Sequence, residues 1–190
     1  MRWRIGCETS GALRDRFIAA GHDAISVDLL PARTPGPHHQ GDIFEYLERD
    51  SDFDGAIFHP TCTLLTVAAA WCFYHPDDKA LPFADRRPHP KWPTRRAEQA
   101  EQAAVVQRLW DIATPRIPRV AIGNPVGARS TLWRKPTQTV QPYDFGDDAA
   151  KRTCLWLHGL PKLVADPAAR CPGRWVWDKR LGRLAERWGN

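Results

Sequence analysis

Cys62 stands in the run His59-Pro60-Thr61-Cys62-Thr63, just past the apolar segment Gly55-Ala56-Ile57-Phe58. A cysteine at the end of a buried strand, facing a cleft, is placed as a nucleophile, provided that a neighbouring cation or a lowered pKa makes it a thiolate. The blander reading is a buried apolar cysteine, as Cys154 is read within Cys154-Leu155-Trp156. A second set of residues suits a nucleotide. The turn Cys7-Glu8-Thr9-Ser10-Gly11 follows the first apolar run and precedes a helix, and its small residues let a ligand approach the backbone. Neither common phosphate motif fits, because Ala12 stands where a P-loop needs lysine and Thr9 interrupts the GxGxxG pattern. About twenty residues on, Asp28 ends the next apolar run and Leu29 follows it. A carboxylate there can accept two ribose hydroxyls. Asp42 and Ile43 offer a polar group and an apolar side chain for an adenine. Three sites in register favour an adenosyl ligand over the alternative that Asp28 is a helix cap or a surface acid.

These residues need a sheet to bring them together, and the pattern supplies one. Residues 3–7, 23–27, 55–58 and 119–122 read as short buried strands, and 12–20, 42–48 and 95–112 read as helices. In the last of these, Ala97, Ala100, Ala104, Val105 and Leu109 lie near helical spacing. Residues 29–41 read as loop. Residues 63–73 are apolar and read as helical, whereas the proline-rich stretch 76–94 reads as irregular. Segments 137–142 and 153–157 are two further candidate strands. Short strands alternating with helices predict an α/β fold with a mostly parallel sheet and helices on both faces, whose ligands bind beyond the carboxyl ends of the strands.

The 190 residues are 43% hydrophobic and 26% charged, which describes one globular domain, or one domain with a tail. The five cysteines are odd in number, scattered, and form no CxxC pair, so neither a disulfide framework nor a metal site is expected. There is no apolar leader and no run near the ~18–20 apolar residues that span a bilayer. The expectation is a soluble cytoplasmic protein with no membrane partner. Oligomeric state is not encoded legibly.

The chain resembles the cytosine carbon-5 DNA methyltransferases, and most closely the short phage-type members of that superfamily. The matching residues are the Glu8-Thr9-Ser10-Gly11 turn, Asp28, Gly41-Asp42-Ile43, Pro60-Thr61-Cys62, Asn124-Pro125-Val126, Gln141 to Gly146, and Lys151 to Leu157. They span roughly residues 3–160, and their order and spacing carry more weight than any one motif. The resemblance implies a Rossmann-like methyltransferase domain over 1–160 that binds S-adenosylmethionine through Cys7, Glu8, Thr9, Ser10, Gly11, Asp28, Leu29, Asp42, Ile43 and Pro60. It implies a DNA substrate, covalent catalysis by Cys62, and a role for Asn124 and the residue at 123 at the target base. In that family the cysteine adds to carbon 6, carbon 5 takes the methyl group, and an acid engages ring nitrogen 3. Two positions depart from the pattern. Thr61 replaces a second proline, and Gly123 stands where the family has the glutamate that engages nitrogen 3. Gly123 leaves alternatives open: a catalytically impaired or non-catalytic relative that binds cofactor or DNA, or a uracil-type target. The small size also fits an enzyme acting on free pyrimidine nucleotides. The class that methylates exocyclic amines is disfavoured, because His59-Pro60-Thr61-Cys62 lacks both its polar first residue and its aromatic last one.

Net charge is +5, and residues 151–190 hold nine Lys/Arg against three Asp/Glu, so this tail carries the whole excess. Within it, 161–190 is a basic, tryptophan-rich extension, either packed or contacting DNA, and Arg180, Arg183 and Arg187 fall at helical spacing. The family's separate target-recognition domain is absent or reduced, so single-stranded or non-specific DNA is a fitting partner. Arg86, Arg87, Lys91 and Arg95, interleaved with His89 and Trp92, suggest a cationic loop that closes over a flipped base. A solvated loop with Trp92 packed on the domain is the alternative. Lys151 and Arg152 are further candidates for nucleic-acid contact.

Overall fold

The computed structural model describes residues 1–50 and 52–189. Its first half alternates strand and helix: β1 (Arg2–Gly6), α1 (Ala12–Ala19), β2 (Asp23–Asp28), β3 (His38–Gln40), α2 (Ile43–Arg49) and β4 (Gly55–Phe58). Three 3₁₀ segments, Val67–Cys72, Pro76–Ala80 and Phe83–Asp85, lead to the long helix α3 (Arg95–Ala113). Then come β5 (Val120–Pro125), α4 (Arg129–Leu132), β6 (Gln138–Val140) and β7 (Thr153–His158), and finally a hairpin of β8 (Arg174–Asp178) and β9 (Arg183–Arg187). The main sheet has the order β3-β2-β1-β4-β5-β7-β6. Its first five strands are parallel, and β7 runs antiparallel to both β5 and β6. The molecule is therefore α/β with a mostly parallel seven-stranded sheet.

The two sheet faces can be told apart at β1, because successive side chains point to opposite sides. Trp3 meets Phe17 of α1, with ring centroids 4.7 Å apart. Arg4 donates to the Tyr46 hydroxyl of α2 at 2.9 Å. So α1 covers one face and α2 the other. The α2 side carries the main core, where Ile43 and Leu47 pack with Ala56, Phe58, Val106, Leu109, Ile122 and Trp156. On the α1 side, Ile57, Leu155 and Leu157 are only partly covered.

Four expectations change. His38–Gln40 lies inside the segment read as loop, yet it pairs in parallel with β2 as the edge strand. The apolar run 63–73 forms a turn and then the 3₁₀ segment Val67–Cys72, with no α-helix. The stripe that α3 buries is Gln99, Ala103, Val106, Leu109 and Ala113. Of the five apolar residues chosen from spacing only Leu109 is buried, because many alanines make several stripes look alike. The tail forms a hairpin, so Arg183 and Arg187 belong to a strand and helical spacing does not apply. Among the described residues, no helix is long and apolar enough to cross a membrane.

Candidate active site

The turn after β1 is built for close approach. Cys7 takes a left-handed conformation (φ 58°), which non-glycine residues adopt rarely and at a cost of about 1–3 kcal/mol. Its thiol is pushed up to about 12, first by burial and then by Asp28 and Asp42, so it stays protonated and inert. Glu8 is buried. One of its oxygens accepts from the Ser10 hydroxyl at 2.9 Å and from the Leu13 N–H at 3.0 Å. The other, Oε2, is buried with no partner. Gly11 also has positive φ, and a Cβ there would fall 2.3 Å from Thr34 Oγ1 and 2.4 Å from Arg14 Nη2. Arg14 fills that space, fully buried, and holds Ser26, Thr34 and the Pro35 carbonyl. It thereby fixes the 29–37 loop beside the turn.

Asp28 sits at the end of β2, where its Oδ1 accepts from the Leu30 N–H at 2.9 Å. Asp42 caps α2, and its Oδ1 accepts from Phe44 N and Glu45 N at 2.7 and 3.2 Å. One oxygen of Asp42 is thus committed to the helix cap, the role that the sequence alone had suggested as an alternative for Asp28. Cys7, Asp28, Leu29, Asp42, Ile43 and Pro60, together with Val105 of α3, line one cleft of about 420 Å³. A separate groove of about 600 Å³ on the other side of Cys7 is lined by Glu8, Thr9, Ser10, Arg16, Arg33 and His59. Gly11 shapes the turn from behind and lines neither.

Cys62 is half-buried and lies in a third depression of about 460 Å³ with Thr66, Pro125, Val126, Lys151 and Arg152. Its loop is clamped from two sides. From α3, Gln99 donates to the Leu64 carbonyl at 2.7 Å and Gln102 accepts from the Leu64 N–H at 3.1 Å. From the segment after β5, Ala128 N–H donates to the Leu65 carbonyl at 2.8 Å, and Thr66 bridges Gly127. Gly127 is obligatory there, since a Cβ would lie 1.7 Å from the Leu65 carbonyl oxygen. Asn124, buried, donates to the Pro60 carbonyl at 2.9 Å and leaves its own Oδ1 unpaired.

Sequence reasoning passed over Arg129. The residue is 1% exposed, and all three guanidinium nitrogens lack a hydrogen-bond partner. The Trp156 ring lies 5.4 Å away and offsets part of the cost. Burial lowers the Arg129 pKa to about 10, while Cys62 and then Cys154, in their thiolate forms, would act to raise it. The side chain therefore stays a cation at neutral pH. No sequence signal separates it from the other arginines, because its distinction is burial without a counter-ion.

His59 follows β4 on the opposite sheet face, next to Gly123. A Cβ at 123 would approach His59 Nδ1 to 3.3 Å, with Leu155 Cδ2 next at 3.8 Å, so the imidazole is its tightest neighbour. The ring is open to solvent on one side and crowded on the other. Crowding is the main cause that lowers its pKa; Glu8 opposes this and Lys151 adds to it.

The loop cations are placed differently from expectation. Arg87 is bound to Asp78 through two side-chain hydrogen bonds at 2.7 and 3.0 Å. Arg86 donates to the Leu81 and Lys79 carbonyls and lies over Phe83. Arg95 pairs with Glu98. Arg86 and Arg87 thus tie the loop to itself, whereas the Arg95 pair lies within α3. Lys91 lies over Trp92, and Lys151 and Arg152 face the Cys62 depression. The Arg87 contacts lower the Asp78 pKa from 3.8 to about 2. A depressed carboxylate contributes stability that is fully present above its unfolded pKa and is lost as pH falls through the folded one. Protection of residues 76–90 against amide exchange, taken relative to the intrinsic rate at each pH, is therefore expected to hold down to about pH 4 and to fall toward pH 2. In Asp78→Asn it should already be reduced at neutral pH.

Among the described residues, no cluster of three His, Cys, Asp or Glu side chains could hold a metal ion. All five cysteines are free. Compared with known proteins, the chain matches no protein-family model. No curated protein matches it either.

Proposed function

We propose that this chain is an S-adenosylmethionine-dependent methyltransferase with a Rossmann-like fold that methylates carbon 5 of cytosine in DNA through Cys62. The observation that carries the reading is the arrangement at the carboxyl ends of the parallel strands. A carboxylate ends β2, a strained turn follows β1, and a half-buried cysteine follows β4 beside two cations. The sheet order, with one reversed strand next to the last, is compatible with that fold.

The residues present fit the cofactor. The Asp28 oxygen that does not cap Leu30 can accept ribose hydroxyls. Leu29, Ile43, Phe44 and Val105 give the same cleft apolar walls for a purine. The unpaired Oε2 of Glu8, next to the second groove, suits an ammonium group. S-adenosylmethionine, when bound there, supplies an electrophilic methyl group. The protein's own part begins at Cys62, since the thiolate is the form that attacks. Its sulfur adds to carbon 6 of the ring, the electron pair moves toward carbon 5, and that carbon forms the new bond to methyl as the methyl–sulfonium bond breaks, its electron pair leaving with the neutral thioether. A base then takes the carbon-5 proton, the ring double bond reforms and the sulfur leaves with its electrons. The target must leave the base stack to reach Cys62, where Lys151 and Arg152 flank the depression.

Incubation with methyl-labelled cofactor and duplex DNA, single-stranded DNA or dCMP tests this directly. Label is expected in DNA at 5-methylcytosine and absent with Cys62→Ala. Label in dCMP alone would move the substrate to free nucleotides. Full transfer by Cys62→Ala would end the covalent reading. A second reading, a relative that binds cofactor without efficient chemistry, is favoured by one observation, Gly123. No carboxylate stands at that position.

A further inference from the structure

We propose that the β8–β9 hairpin is an arm for unpaired nucleic-acid bases, with Trp175 and Trp177 as its stacking surface. The proposal rests on the DNA-directed reading above for its partner class, but on separate residues. Trp175 pairs across the hairpin with Glu186, and Trp177 with Leu184. Residues directly opposite or two apart share a face of a sheet, so both tryptophans, Leu184 and Glu186 lie on one side. Trp175 is 67% exposed and Trp177 59%. Large aromatic rings left this open on a two-stranded sheet are unusual in a domain that has no further layer to cover them.

The base of the arm is well fixed. Trp188 stacks on Tyr143 with centroids 3.8 Å apart and donates from Nε1 to the Cys171 carbonyl at 3.0 Å. Arg170 bonds Glu186 through both terminal nitrogens. Glu186 also accepts from Gly173 N–H, and Asp178 is taken by Arg187 and by the N–H groups of Arg180 and Leu181. Both acids of the arm are therefore satisfied internally. Its remaining cations, Arg174, Lys179, Arg180 and Arg183, make no ion pair among the described residues.

Lys179 and Arg180 stand in the turn that follows Trp177, whereas Arg174 and Arg183 lie on the opposite face of the hairpin. Two open indoles on an anchored arm that is basic at its tip and on its far face are complementary to a polyanion that offers ring faces. Bases within a duplex present only edges in the grooves, whereas single strands expose faces that stack on aromatic side chains. Residues two apart on a strand are about 6.7 Å apart. That is twice the ~3.4 Å repeat of stacked bases, so one base has room between the two rings.

Anisotropy titration of labelled single-stranded and duplex oligonucleotides, without cofactor, tests the arm independently of methyl transfer. The double variant Trp175→Ala/Trp177→Ala is expected to weaken single-strand binding at least about tenfold, given what base–aromatic stacking contributes per base, and to change duplex binding little. Arg180→Ala/Arg183→Ala is expected to weaken both and to flatten the salt dependence. Unchanged single-strand affinity in the tryptophan variant, with an unchanged melting curve, overturns the proposal. So does a wild-type dimer in sedimentation that this variant converts to monomer, since the face would then belong to a second copy. Loss of labelled transfer with DNA binding intact would instead count against the methyltransferase reading alone.

Discussion

Replacing Arg129 with methionine is expected to make the protein more stable and less active. The guanidinium is closed off from water and meets no acceptor. Replacing a buried ion pair by apolar side chains of similar volume is often neutral or stabilising by about 1–4 kcal/mol, and a buried cation with no partner has less attraction to lose. For a chain of this length that corresponds to a rise of roughly 2–4 °C in Tm per kcal/mol. The Trp156 contact is lost in the variant, which places the expected gain toward the lower end. Under the proposed reaction the same cation is the buried charge coupled to Cys62, the first of the two thiols that act on it. Removing one preorganised electrostatic partner typically costs about 10²–10³ in rate. Calorimetry and labelled transfer on the same preparation check both halves. Arg129→Lys should keep part of the rate, because it keeps the charge and loses the planar fork. A fall in Tm for Arg129→Met would show that the side chain is a structural tie. A wild-type rate would detach it from Cys62.

Gly123→Glu is the other substitution with a large expected effect, and here the direction is a gain. If the chain is a cytosine enzyme that lacks its acid, restoring a carboxyl group beside nitrogen 3 should raise methyl transfer about 10²-fold or more, the usual size of a positioned general acid. The fold accommodates the change. A Cβ would meet His59 Nδ1 at 3.3 Å and Cε1 at 3.4 Å, and Leu155 Cδ2 at 3.8 Å. The imidazole has solvent on one side and can shift by a few tenths of an ångström. An ionised carboxylate there also raises the His59 pKa, reversing the downward displacement that crowding and Lys151 impose. NMR titration of the His59 ring gives this readout without reference to activity. A raised His59 pKa with no gain in rate would place the carboxylate correctly and exclude an impaired cytosine enzyme.

The core strands were easy to read because parallel strands are covered on both sides and so appear as short apolar runs. Gly55–Phe58 and Val120–Ile122 are of this kind. The edge strand His38–Gln40 has no such signature; it is polar, and pairing with β2 alone defines it. In the tail, the spacing of Arg180, Arg183 and Arg187 suggested a helix. The backbone N–H groups held by Asp178 and the positive φ of Gly182 instead turn the chain back on itself.

For the candidate site, the sequence by itself determined which chemical groups lie at the strand ends. Cys7, Glu8, Asp28, Asp42 and Cys62 were placed there by local pattern, because a strand end is a local event. The tertiary structure decided what each group is free to do. Arg87 and Lys151 look alike in a charge count, yet one is spent on Asp78 and the other faces the Cys62 depression. Cys7 and Cys62 look alike as thiols, yet burial beside two acids silences the first. Arg129 attracts no notice in the sequence, and it is burial without a counter-ion that sets it apart from the other arginines. Availability depends on partners and solvent brought together from distant parts of the chain, and those are properties of the fold.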